Sequence, residues 1–158
     1  MPPAEGPPGE QWAAQRSAAA SEHLARLEAR QDAEHRRAEG HLAAFIHAAR
    51  AAELAAGPLR MQGYNGGRSA RTPLRGWYLR KDRKAGIDTE GNFYILVGPL
   101  SLLDTLRGAT PRASRPPLVL GAGGRDGDSV ELTDALERLL PGWREFSPDS
   151  PSGRGDGA

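Results

Sequence analysis

From Glu10 to Ala56 the chain contains no proline and a single glycine, Gly40, and it is built mainly from Ala, Glu, Arg and Leu. These residues lose little side-chain freedom in a helix, so the stretch predicts one long α-helix. The pairs Glu22/Arg26 and Asp32/Arg36 stand four residues apart and each add a few tenths of a kcal/mol. Gly57-Pro58 reads as the stop, since glycine takes a left-handed cap and proline cannot continue the helix.

Such a helix constrains everything after it. At ~1.5 Å per residue it would span roughly 70 Å, whereas a folded unit of about 85 residues has a radius of gyration near ~12 Å. Either Gly40 divides the helix, or the overhang pairs with another chain. The two halves differ in composition. Leu42, Phe45, Ile46, Ala49 and Leu54 form an apolar stripe able to dock on a sheet. Upstream, Leu24 and Leu27 start a heptad, but Gln31 and Glu34 occupy its next seam positions, so a coiled coil seeded there is weak. Leu24 and Leu27 are the candidate contacts for a partner helix, in another protein or in a second copy.

The remainder is too poor in large apolar residues to fold throughout. Only 38% of the chain is hydrophobic, much of that alanine, and 6% is aromatic. Residues 1–9 hold four prolines and two glycines and read as a disordered tail; residues 147–158 read as a second. Residues 58–72 read as a basic, Gly-rich linker around Asn65-Gly66-Gly67. A small domain is expected over 73–146. Its predicted strands are Gly76–Leu79, Ala85–Asp88, Asn92–Val97 and Leu118–Leu120. Thr89-Glu90-Gly91 suits a hairpin loop, with Gly91 left-handed. Ser101–Leu106 predicts a short helix closed by Gly108. A second short helix is expected after an Asp128 cap, with Leu132, Leu136, Leu139 and Leu140 on one face and Pro141-Gly142 ending it. The expected class is α+β: the long helix, solvated upstream in preference to pairing as a weak coiled coil and with a break at Gly40 as an alternative, then an antiparallel sheet of three to four strands with two short helices.

Charge marks the candidate site. Eight of the 21 basic residues fall between Arg60 and Lys84 against one acid, Asp82, while the whole chain carries only +1. Positive charge concentrated in one block of a nearly neutral chain points to an anionic partner. If Gly76–Leu79 pairs with Ala85–Asp88, then Arg80, Lys81, Arg83 and Lys84 crowd the connecting turn. Arg68, Arg71 and Arg75 precede it, and Tyr64, Trp77 and Tyr78 lie close by. Basic turns with aromatic neighbours grip phosphate backbones and stack on unpaired bases. The same residues equally serve an acidic protein partner, or solubility and protection of a sheet edge.

Other chemistries find little support. Gly121–Gly127 follows a strand and precedes a helix, but Asp126 replaces the glycine that a dinucleotide fingerprint requires, and no Walker lysine is present. His23, His35, His41 and His47 include no i,i+3 or i,i+4 pair, so one helix cannot chelate a metal with them. Asp88 and Glu90 flank a turn as the only conceivable acid–base pair, and Asp88 is better read as the acid that initiates the turn. The sequence thus nominates no catalytic residue, cofactor or metal. With no cysteine, no apolar leader and no run of 18 apolar residues, the default compartment is the cytoplasm, with no membrane partner. The reading is a non-enzymatic interaction or adaptor protein presenting a projecting helix and a basic hairpin. The alternative is a nucleic-acid binder without sequence specificity that uses residues 60–84.

Overall fold

A computed structural model describes residues 8–121 and 128–146, and the chain divides into two units between Glu34 and His35. The class is α+β. Helix α1 (Pro8–Ala51) is continuous through Gly40, so of the alternatives the break at Gly40 does not occur. A glycine inside a helix costs only about 1 kcal/mol, and here Ala38 and Leu42, both buried, flank it. Pro8 and Gly9, expected in the tail, belong to the first turn, where proline's missing N–H is not needed. In the first unit every residue of α1 is exposed except Asp32, which is half-buried.

The helix ends at Ala51, earlier than Gly57-Pro58. Glu53 adopts the left-handed region (φ 51°), and Leu54 N–H donates to the Ala49 carbonyl at 2.9 Å, closing the end as a capping turn. Gly57-Pro58 instead opens a strand. The stretch expected as a linker, 58–72, belongs largely to the longest hairpin of the fold, β1 (Gly57–Gly63) and β2 (Ser69–Tyr78). Pro73 is tolerated inside β2 because the β1–β2 register slips between Pro58 and Arg60. The Thr72 hydroxyl donates to Leu59 O at 2.6 Å across that irregularity.

β2 pairs antiparallel with β3 (Ala85–Asp88), and β3 with β4 (Phe93–Ile95). After Leu96 the chain resumes as β5 (Val97–Gly98), parallel to β1. Leu96 joins both sides: its N–H donates to Lys84 O and its carbonyl accepts from Gln62 N–H, each at 2.8 Å. The four strands β1, β2, β3 and β4–β5 therefore form a closed ring. A further strand, β6 (Ala113–Ser114), lies on β4, giving a six-stranded mixed sheet in place of three to four antiparallel strands. Helix α2 (Leu102–Arg107) follows β5. A small hairpin, β7 (Val119–Leu120) with β8 (Val130–Glu131), leads into helix α3 (Leu132–Leu139) and a final 3-10 turn at Trp143–Phe146. Asp128 is not the cap of α3. Leu132 N–H bonds Leu118 O at 2.8 Å, and Glu131 takes the cap position in extended conformation with no side-chain bond.

Strand alternation divides the interior in two. Leu59, Leu74, Tyr78, Tyr94 and Leu96 fill the ring. Trp77, Leu79, Ala85, Ile87 and Phe93 face outward against Leu42, Phe45 and Ile46 of α1, Leu132 and Leu136 of α3, and Trp143. Burying side chains of this size contributes about 1.5–3 kcal/mol each. Phe45 meets Trp77 edge-on with centroids 5.7 Å apart, and Trp143 at 6.3 Å. The apolar stripe of α1 docks as its spacing predicts, with Leu54 half-buried beyond the helix end.

Gly40 tests the continuity of α1 directly. A Cβ built there meets nothing within 4 Å, so Gly40→Ala should raise stability by about 1 kcal/mol in urea denaturation. A neutral or destabilising result would mean that Gly40 is needed as a hinge.

Candidate interaction surface

The basic block is spread over the β1–β2 hairpin and the β2–β3 tip. Arg60 and Arg71 are register partners across β1 and β2, and Arg75 lies opposite Pro58. Arg68, in the turn between these strands, donates to Leu100 O at 3.1 Å. Arg75 donates to Ala56 O at 2.9 Å, and Arg60 Nε to the Ser69 hydroxyl at 2.8 Å. The other cations sit past the end of β2. From Arg71 to Tyr78 is roughly 23 Å along a strand rising ~3.3 Å per residue. The ring brings the tip back against β1: the Gln62 side chain donates to Asp82 O at 3.0 Å, and the Tyr78 ring that faces Arg83 has its hydroxyl bonded to Arg60 N–H.

The tip between β2 and β3 is organised by Asp82. Its carboxylate accepts from Arg80 Nη2 at 2.9 Å and from Lys84 N–H at 3.1 Å. The hydrogen bond from Arg80, first, holds its pKa below the ordinary carboxylate value. Arg80 is mostly buried and also donates to Asp128 O at 2.8 Å and Leu120 O at 3.2 Å, fastening the tip to the β7–β8 hairpin. It is a structural residue. Lys81, Arg83 and Lys84 are exposed, with the Arg83 guanidinium 5.6 Å from the centre of the Tyr78 ring. The two aromatic neighbours are half-buried. Trp77 packs on Phe45 and donates to Ala55 O at 2.9 Å, and Tyr78 packs within the ring, its hydroxyl accepting from Arg60 N–H. Tyr64, in the β1–β2 turn, is exposed.

A cavity of about 390 Å³ opens beside this tip, with Phe93, Ile95, Val97 and Leu120 on its apolar wall and Arg80, Lys84 and Arg115 among its polar residues. Arg80 is engaged with Asp82, and Arg115 lies 3.3 Å from Glu39.

The acid–base pair dissolves into a turn. Asp88 Oδ1 accepts from the N–H groups of Glu90 and Asn92, both at 2.9 Å. Its Oδ2 accepts from Asn92 Nδ2 and the buried Tyr94 hydroxyl, both at 3.0 Å. Burial alone would raise its pKa, but these bonds outweigh it and hold the carboxyl below its ordinary value. Asp88 initiates the β3–β4 loop, Gly91 is left-handed (φ 89°) as the hairpin spacing predicts, and Glu90 is exposed. The histidines are likewise separate. His35 Nδ1 lies 2.8 Å from Pro116 O, and His41 packs edge-on to Trp143, where burial, then Arg144 and Arg37, lower its pKa. Among the described residues no group of His, Asp and Glu has metal-binding geometry, and no helix is long and apolar enough to cross a membrane. The glycine-rich stretch 122–127 and the tails 1–7 and 147–158 lie outside the described residues.

Exposed apolar side chains are the feature that charge counting missed. In the first unit, Trp12, Leu24 and Leu27 are 60%, 56% and 40% exposed, and the Arg16 guanidinium stands 4.3 Å from the centre of the Trp12 ring. In the second unit, α2 buries none of its residues and leaves Leu102, Leu103 and Leu106 exposed at 67%, 56% and 74%. This short helix is nevertheless tightly specified. Ser101 and Asp104 form a reciprocal capping box, and these bonds lower the Asp104 pKa. Gly108 closes the other end at φ 93°, and Ala109 N–H bonds Arg71 O at 2.8 Å. A Ser-x-x-Asp cap enclosing Leu102 and Leu103 was the available signal. Whether those leucines are buried is decided by tertiary placement. Comparison of the chain with protein-family models, with curated proteins and with solved structures finds no match.

Three substitutions test these roles. Arg80→Ala should cost about 1–3 kcal/mol, because it strips charged hydrogen bonds from Asp82 and two carbonyls. Charge reversal at Lys81 should stay within about 0.5 kcal/mol. Equal effects in urea denaturation would contradict the division. Asp88→Ala should cost about 3 kcal/mol at neutral pH. Since the fold depresses this carboxyl, its stabilisation is full above the ordinary aspartate pKa and is lost as pH falls through the folded value. The wild-type–variant difference should therefore shrink in acid, and a constant difference would contradict the assignment.

Proposed function

We propose that this chain is a non-enzymatic interaction or adaptor protein that associates with other protein chains, a second copy included, through the exposed apolar side chains of α1. The observation that carries the reading is the exposure of Trp12, Leu24 and Leu27 on a regular helix that buries no residue before Ala38. Helices in proteins owe most of their stability to packing of an apolar face, so a segment of this length without one is ordered best by a partner. Large exposed apolar side chains grouped on regular elements mark interaction sites. The cationic tip of Lys81, Arg83 and Lys84 suits an acidic protein surface, steering encounter more than setting affinity. Trp77 packs edge-on against Phe45 and the Tyr78 ring carries Arg83 over it, which favours this reading over nucleic acid.

Sedimentation velocity of the full chain across a hundredfold concentration range tests it. Concentration-dependent association is expected, and Leu24→Glu with Leu27→Glu should weaken it about tenfold or more while leaving the folded unit intact. A chain that stays monomeric throughout, or association indifferent to both substitutions, would overturn the reading.

A further inference from the structure

We propose that the cavity beside the β2–β3 tip is a binding site for an uncharged, largely apolar small molecule, a role separate from association through α1. The outward face of β4 accounts for the cavity. Phe93 and Ile95 stand two residues apart on that face. Phe93 is buried in the core, whereas Ile95, opposite Ala85 in the β3–β4 register, is 53% exposed. Val97 is half-buried, and neither it nor Ile95 belongs to the core cluster that α1, α3 and Trp143 cover. Apolar strand surface thus runs out of the core into open space. Pro117 and Leu120 line the same space of about 390 Å³, a volume within the roughly 300–1,000 Å³ of small-molecule pockets.

Both walls are held in place by the fold itself. On the strand side, Leu96 N–H donates to Lys84 O and Leu96 O accepts from Gln62 N–H, each at 2.8 Å. On the other side, Ser114 pairs with Phe93, and His35 Nδ1 lies 2.8 Å from Pro116 O. Arg80 Nη1 donates to Leu120 O at 3.2 Å and to Asp128 O at 2.8 Å. A cavity with fixed walls spares a ligand the cost of ordering them. Charge decides the ligand class. The charged residues lining the cavity, among those described, are Arg80, Lys84 and Arg115 against Asp82 and Asp128. Arg80 is bonded to Asp82 at 2.9 Å and Arg115 is paired with Glu39 at 3.3 Å, so with Glu39 included cations and acids are equal in number. An ion entering would lose its hydration with no net opposite charge to replace it. An apolar molecule loses nothing of that kind and takes Ile95 and Val97 out of water.

The chain carries its own reporters. Ile46, Ile87 and Ile95 are its only isoleucines, and the first two are buried. Selective labelling of isoleucine δ1 methyls for NMR therefore gives one signal from the cavity and two from the core. Naphthalenemethanol, naphthoate and naphthylmethylamine of one substitution pattern serve as neutral, anionic and cationic probes of matched shape at neutral pH. Titration of the full-length protein with naphthalenemethanol should move the Ile95 signal saturably, with a Kd at or below about 1 mM, while the Ile46 and Ile87 signals stay in place. Each charged probe should bind about tenfold more weakly. Val97→Trp, which fills the cavity, should abolish the response of Ile95 to the probe with both core signals at their native positions. Pro117→Trp, from the opposite wall, makes the same test should Val97→Trp disturb the core signals. An Ile95 shift that grows without saturation, equal movement of all three signals, or tighter binding of a charged probe would overturn the inference. Binding that survives both filling variants would overturn it as well. No response of Ile95 in the wild type, with self-association weakened in Val97→Trp, would overturn it and assign the cavity to an apolar side chain of a partner chain.

Discussion

Phe45 is the residue on which the folded unit turns. It is fully buried and stands edge-on to Trp77 of β2 and to Trp143 of the final turn, so one side chain of α1 joins the sheet to the C-terminal elements. Edge-on aromatic pairs are favoured because the positive rim of one ring meets the negative face of the other. The contact depends on strand alternation. Trp77 points outward only because Tyr78 points into the ring, and a one-residue slip of β2 would exchange them. Gly76 enforces that register. A Cβ there would lie 1.8 Å from Ile87 O, so β2 and β3 can approach only with glycine at this position.

The same packing explains why apolar surface remains. The outward face of the sheet is covered by one stretch of α1, from Ala38 to Ala49, together with α3 and Trp143. The ring has its own small interior. Once both are filled, the leucines of α2 and those of the first unit have no place in either cluster. The charged residues follow a similar division. Arg80 is drawn inward to fix the hairpin tip, whereas Lys81, Arg83 and Lys84 remain available to solvent.

Legibility in the sequence followed the range of the interactions involved. Helix α1, strand β3, the Gly91 loop and the Gly108 stop depend on local propensity and turn chemistry, and each was readable. β1 and the first half of β2 were not, because their inward positions hold small or polar residues, Ala70 and Thr72, and prolines stand at 58 and 73. Pro73 fits only beside a register slip that arises when the two strands meet. Closure by Val97–Gly98 onto β1 is likewise a non-local pairing that no periodicity announces. The cluster of cations was legible as composition, but the inward turn of Arg80 follows from its bonds to the β7–β8 hairpin. Leu24 and Leu27 were legible as a heptad fragment. Trp12 and the leucines of α2 were not marked, since a short apolar helix looks the same in sequence whether buried or exposed.

Under the proposed association, the 8–34 segment of α1 is ordered by a partner chain, while residues 38–49 are ordered by the core. Hydrogen–deuterium exchange of the full-length protein, read by mass spectrometry at low and high concentration, separates these two sources of stability. The account predicts strong protection of 38–49 at both concentrations, and protection of 13–30 that rises with concentration. Protection of 13–30 that is the same at both concentrations would contradict it.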